Sequence, residues 1–168
     1  MGATANDALV AAGALRRYLE SRGEPTSGLA IRASVPVNLR PPDQSHRPGN
    51  SFGLVLLSLP VGIVDPVRRL RAIREEMDGI KRSPEALVAF SVLSVLGVAP
   101  VEVEPLGLRF FGGQTTAVLT NVPGPGEPLH LAGSKLGRMM FWVPQSGHLG
   151  LGISILSYAG RVRARVKV

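Results

Sequence analysis

The 168-residue chain has no cysteine. That absence excludes a disulfide scaffold, a zinc site built on thiolates and a cysteine nucleophile. Aromatic residues make up only 5% of the chain, and lysine is scarce: of 19 basic residues three are Lys and the other 16 are Arg. The formal charge of +7 therefore sits on dispersed guanidinium groups, without interleaved aromatics to stack bases. This pattern argues against nucleic acid as a partner. The opening Met1-Gly2-Ala3-Thr4-Ala5-Asn6-Asp7 lacks the basic and apolar segments of a secretory signal, and a cytoplasmic location is expected. The longest apolar stretch, 86–101, is interrupted by Ser91, Ser94 and Gly97. It falls short of the roughly 20 residues that cross a bilayer and reads as a buried helix.

With 45% hydrophobic and 18% charged residues, the chain is apolar enough to fold, and its length predicts one domain over 1–168. Thr4 and Asp7 form a helix start, and Leu9, Ala12, Leu15 and Leu19 recur at helical spacing, predicting a helix over 5–22. Alternation from Leu29 to Val37 predicts a strand, with Pro36 placing that end at a sheet edge or outside the sheet. Residues 38–51, rich in proline and polar side chains, predict a long loop. Phe52 to Val61 reads as a strand buried on both faces. Asp65-Pro66 starts a second helix with Val67, Leu70, Ile73, Met77 and Ile80 on its apolar stripe and Arg68, Arg69 and Arg71 on an exposed face. Ser83-Pro84-Glu85 starts a third, over about 85–97.

Thr115–Thr120 reads as a short strand stopped by the turn Asn121-Val122-Pro123-Gly124-Pro125-Gly126. Met139–Val143 and Leu149–Tyr158 read as strands, and Ala159-Gly160 as a tight turn into Arg161–Val168. In that last segment Val162, Ala164, Val166 and Val168 face one way and Arg161, Arg163, Arg165 and Lys167 the other. The element order predicts an α/β (α+β) fold, a mixed sheet backed by helices on one face. The chain stops on a basic strand, an ending expected of a fragment.

No self-contained catalytic centre is legible. His46, His130 and His148 have Asn50, Ser134 and Gly152 four residues on, so none has a carboxylate at that spacing, and they show no metal-ligand spacing. They read as loop histidines, with His148 of interest for preceding a strand. There is no Gly-x-Ser-x-Gly elbow, dinucleotide fingerprint or phosphate loop.

Five ordered motifs carry a resemblance: Ala5-Asn6-Asp7, Val35-Pro36-Val37-Asn38-Leu39-Arg40, Gly49-Asn50-Ser51-Phe52-Gly53, Asn121-Val122-Pro123-Gly124-Pro125 with Pro128-Leu129, and Pro144 with Gly147 and Ser157-Tyr158-Ala159-Gly160. Over about 4–168 the chain resembles the C-terminal domain of the bacterial wax ester synthase/acyl-CoA:diacylglycerol acyltransferase family. The resemblance implies one half of the two-domain fold shared with chloramphenicol acetyltransferase. It also implies transfer of a fatty acyl group from acyl-CoA to diacylglycerol or a long-chain alcohol, with acyl-CoA as substrate and no cofactor. The family's His-His-x-x-x-Asp-Gly motif, whose second His is the general base, belongs to the N-terminal domain and has no counterpart in this sequence. The implied partners are that N-terminal domain, acyl-CoA and a lipid alcohol, and the chain by itself is expected to be inactive.

Transferred residue by residue, the resemblance makes Asn6, Asp7, Asn121, Gly124, Ser157 and Tyr158 candidate substrate-binding positions and assigns no catalytic or metal-binding residue. Each has a plainer reading: Asn6 and Asp7 as helix caps, Asn121–Pro125 as a rigid turn, Ser157–Gly160 as a hairpin that sets register. Two functions stand side by side, an acyltransferase half-domain lining a substrate tunnel and a non-enzymatic lipid- or partner-binding module. The arginine rows on the last strand and second helix suit an anionic membrane or lipid-droplet surface, although Glu75, Glu76 and Asp78 dilute the helix row and favour plain solvation.

Overall fold

The structure, a computed structural model, describes residues 3–39, 52–84, 88, 91, 115–143 and 150–167. Helices α1 (Ala5–Ser21) and α2 (Pro66–Arg82) accompany strands β1 (Ile31–Asn38), β2 (Phe52–Leu59), β3 (Ala117–Pro123), β4 (His130–Leu131), β5 (Ser134–Lys135), β6 (Leu151–Tyr158) and β7 (Arg161–Lys167). Five strands form one sheet in the order β2-β1-β3-β6-β7, and β4 pairs with β5 in a small hairpin. The outer pairs β1/β2 and β6/β7 are antiparallel, whereas β1/β3 and β3/β6 are parallel. This is the expected mixed sheet.

Both helices begin where their caps dictate. The Thr4 hydroxyl accepts from the Asp7 backbone N–H at 3.3 Å and the Asp7 carboxylate accepts from the Thr4 N–H at 2.7 Å, closing a capping box. Asp65 accepts from the Arg68 N–H at 2.7 Å, with Pro66 at the first helical position. Both helices cover the same sheet face: Ala8, Ala11 and Ala12 of α1 and Ile73 of α2 share one buried cluster with Ala33, Val35, Val55, Leu57, Leu59, Ala117, Leu119, Ile153 and Ile155. The small α1 side chains allow its backbone to lie close against the strands.

Several expectations are corrected by packing. β2 is an edge strand whose burial alternates, with Gly53, Val55, Leu57 and Leu59 buried and Leu54, Leu56 and Ser58 only partly so. The helices cover one of its faces, so it is not buried on both. Its exposed edge is instead occupied at one point by Glu76, which accepts the Ser58 N–H at 2.7 Å. In α2, Arg69 is not on the exposed face: it is only 6% exposed, because four residues separate it from buried Ile73 and both fall on one side of the helix. Val67, expected on the apolar stripe, is exposed.

β3 does not stop at Thr120 but runs through Pro123, paired with β6 as far as Ser157. Proline fits there because neighbouring N–H groups point to opposite sides; Gly124 donates toward β6, so the missing N–H of Pro123 faces away from the ladder. Pairing with β1 ends at Ser34↔Val118, which leaves Pro36 at a free edge, as expected. Met139–Val143 alternates in burial but is not a strand, having no ladder neighbour among the described residues. β7 alternates as expected, yet the exposures are reversed: Val162, Ala164 and Val166 are exposed, and Arg163 and Arg165 are half-buried. The helices do not reach this edge, so its apolar side is open, and the four basic heads are not a free row. The loop 40–51 and most of the third expected helix lie outside the described residues; Val88 and Ser91 are helical.

Candidate functional site

Because β3 and β6 are parallel and in register from Ala117↔Leu151 to Pro123↔Ser157, their carboxyl ends coincide. Such ends are where open α/β sheets gather ligand-binding groups. Asn121, Gly124, Ser157 and Tyr158 all fall there, and α1 brings a fifth candidate, Asp7, against them. The Asn121 side-chain amide donates to the Asp7 carboxylate at 2.8 Å. The same carboxylate oxygen accepts from the Thr4 hydroxyl at 2.7 Å, so Asp7 both caps α1 and ties its start to β3. Asn6 is exposed beside it. With its amide N–H directed at Asp7, Asn121 keeps its side-chain carbonyl as an acceptor.

Gly124 is required by close approach. Its N–H donates to the Ser157 carbonyl at 2.9 Å and lies 3.3 Å from the Ser157 hydroxyl oxygen. A Cβ at this position would stand 2.3 Å from the same carbonyl. The Pro-Gly turn is thereby pinned to the end of β6. The Ala159 N–H adds a bond to the Pro125 carbonyl at 2.9 Å, and Ala159 and Gly160 take φ of 49° and 73°. Positive φ at both central residues gives a hairpin turn that matches strand twist.

Tyr158 is placed differently. It is 2% exposed, and its hydroxyl accepts the Leu129 N–H at 2.9 Å while donating to the Leu136 carbonyl at 2.8 Å. It stitches the excursion between β3 and β6 onto the sheet face opposite the helices, helped by Ser154, whose hydroxyl donates to the Phe141 carbonyl at 2.8 Å. The structure thus brings Asp7 to Asn121 and Gly124 to Ser157, and sets Tyr158 behind them as a fully engaged anchor.

Chemically, this cluster offers hydrogen-bond acceptors, a serine hydroxyl and a rigid backbone turn. His130 is exposed on β4; His46 and His148 lie outside the described residues. Among the described residues no group of three His, Asp or Glu is assembled as for a metal, and no helix is long and apolar enough to cross a membrane. The arrangement can position and polarise a bound group.

A second feature is absent from the sequence reading: a groove of about 460 Å³ between α1 and the start of α2, lined by Gly13 and Arg69 among others. Its one sequence signal is Gly13 itself, an isolated glycine in an alanine-rich helix.

The family model described as the WS/DGAT C-terminal domain matches residues 48–168. A putative diacylglycerol O-acyltransferase of Mycobacterium tuberculosis is 36% identical over 162 residues, spanning 95% of this chain and 32% of that protein. A probable diacylglycerol O-acyltransferase of the same organism, tgs2, is 37% identical over 144 residues, 80% of this chain and 31% of that protein. Among solved structures, the wax ester synthase/diacylglycerol acyltransferase from Marinobacter aquaeolei VT8 superposes with a TM-score of 0.58 at 26% identity, covering 97% of this chain and 37% of that one. The chain spans about a third of the length of the curated relatives it matches.

Proposed function

The chain belongs to the WS/DGAT family, matching its C-terminal domain, and from that premise we propose that it is the C-terminal half of an acyl-CoA-dependent O-acyltransferase acting on diacylglycerol or a long-chain alcohol. The observation that supports this reading most is the coverage: almost the whole chain superposes on little more than a third of a solved wax ester synthase/diacylglycerol acyltransferase. In this reading a base on the N-terminal domain takes the proton of the alcohol hydroxyl. The oxygen then attacks the thioester carbonyl and the CoA thiol leaves carrying a proton. The carboxyl ends of β3 and β6 form one wall of the substrate tunnel. Asn6, the Asn121 carbonyl and the Ser157 hydroxyl face substrate there, Asp7 holds Asn121 in place, and Gly124 and Tyr158 fix the shape of the wall.

The N-terminal domain packs, in the same reading, against β7, where Val162 and Val166 stand exposed on the helix side of the sheet, at the edge that α1 and α2 do not reach. The test is thiol release from palmitoyl-CoA with a long-chain alcohol or diacylglycerol. The chain by itself gives none; with an N-terminal domain carrying the two-histidine motif, turnover appears. Asn121→Ala then lowers kcat/KM by about ten- to a hundredfold, the range for one lost positioning hydrogen bond to a reacting group. Turnover by the chain alone refutes the proposal.

A further inference from the structure

The groove between α1 and the β2–α2 connection holds a charge that no carboxylate among the described residues neutralises. Arg69 is only 6% exposed. Its Nε donates to the Ile63 carbonyl at 2.9 Å, and its Nη2 to the Ile63 and Val64 carbonyls at 2.6 and 3.0 Å. Those bonds use three of the five guanidinium N–H groups. Nη1 keeps the remaining two and lies over Gly13, where a Cβ would stand 3.0 Å away. No carboxylate pairs with Arg69 among the described residues. A nearly buried cation without a counter-charge is costly unless an anion completes it.

The other charges around the groove do not meet that need. Glu20 is held by Arg16 at 2.5 Å, and Arg16 further donates to the Val61 and Gly62 carbonyls at 3.1 Å each. Arg17 is exposed and adds a second free positive charge. The groove walls are apolar and open outward: Val10 is 59% and Val64 70% exposed. A free phosphate ion gains nothing from exposed valines, whereas a lipid surface accepts both them and the cation.

We propose that this groove receives the phosphate of an anionic membrane phospholipid on Arg69 Nη1, with Val10 and Val64 entering the headgroup layer on either side. This goes beyond acyl transfer and does not depend on it. The surface directs the chain to a lipid phase through one built site.

Vesicle flotation of the 168-residue chain tests the assignment. Phosphatidylglycerol-containing vesicles bind it, more weakly as salt rises toward physiological ionic strength, and phosphatidylcholine vesicles do not. Ala14→Glu, at an exposed groove position, supplies an internal carboxylate and weakens binding about fivefold, the equivalent of one charge near the surface. Gly13→Ala covers Nη1 with a methyl group, and a thermal melt unchanged from the parent shows that its loss of binding is not unfolding. Arg161→Gln with Arg165→Gln leaves binding unchanged. Retained binding in both groove variants overturns the proposal, as does equal recovery with neutral vesicles. Protection by inorganic phosphate without any vesicle binding also overturns it, by reducing the groove to a free-anion site. Acyl transfer is not read in this assay, so none of these failures touches the acyltransferase proposal.

Discussion

Replacing Gly124 by alanine isolates the packing of the candidate site from its chemistry. The added Cβ would lie 2.3 Å from the Ser157 carbonyl oxygen, a separation that no relaxation of a flexible side chain can relieve, since the obstacle is backbone. β3 and β6 must part at their ends, which weakens the Gly124 N–H to Ser157 bond and, next to it, the Ala159 N–H to Pro125 bond, both 2.9 Å. Overpacking of this kind costs about 1–3 kcal/mol, and each backbone bond lost adds about 0.5–1.5 kcal/mol. Against this stands a gain of about 0.4–1 kcal/mol from a stiffer unfolded chain. The net destabilisation is about 1–6 kcal/mol. For a chain of this length that lowers Tm by roughly 2–22 °C. Thermal unfolding followed by circular dichroism measures it, with Gly126→Ala as the internal comparison. Gly126 belongs to the same Pro-Gly turn, but a Cβ there meets nothing within 4 Å, so its variant unfolds at or slightly above the parent temperature. Equal Tm for the two variants would refute the close-approach account of Gly124.

Tyr158→Phe removes the hydroxyl that joins Leu129 to Leu136 and leaves two backbone groups without their partner. It should cost about 1–3 kcal/mol and speed hydrogen exchange or proteolysis across 127–143; unchanged exchange there would contradict its anchoring role. Ile73→Ala empties a fully buried position where α2 enters the core and should cost about 2–5 kcal/mol in denaturant unfolding, whereas Val67→Ala, on the exposed side, should cost little. Asn121→Leu breaks the tie to Asp7 and should destabilise the start of α1 locally, read as faster amide exchange over residues 5–8 with α2 unaffected. With Val162 and Val166 exposed, sedimentation should show the chain alone self-associating at micromolar concentration, and Val162→Lys should suppress it. A strictly monomeric parent chain would argue against an uncovered interface.

What the sequence alone determined lies within one or two turns of chain. The Thr4/Asp7 capping box of α1 and the Asp65 cap with Pro66 of α2 set where the two helices begin, because the capping partners are three residues apart. Ala159-Gly160 marked its hairpin, and period-2 alternation assigned opposite faces to the valines and arginines of β7. Mixed strands and helices in that order, together with the ordered motifs, were enough for the fold class and the family. Tertiary structure decided everything that depends on which face a neighbour covers. Asp7 and Asn121 are 114 residues apart, and no local rule joins a helix cap to a strand end. Gly124 is a turn glycine by composition, yet its reason is the Ser157 carbonyl of the adjacent parallel strand. Arg69 read as solvated charge until helix phase turned it toward Gly13, and β7 alternated as expected while the helices left its apolar side open. Alternation fixes two faces but not which of them is inside; that choice is made by the elements that pack against them, through contacts distant in sequence.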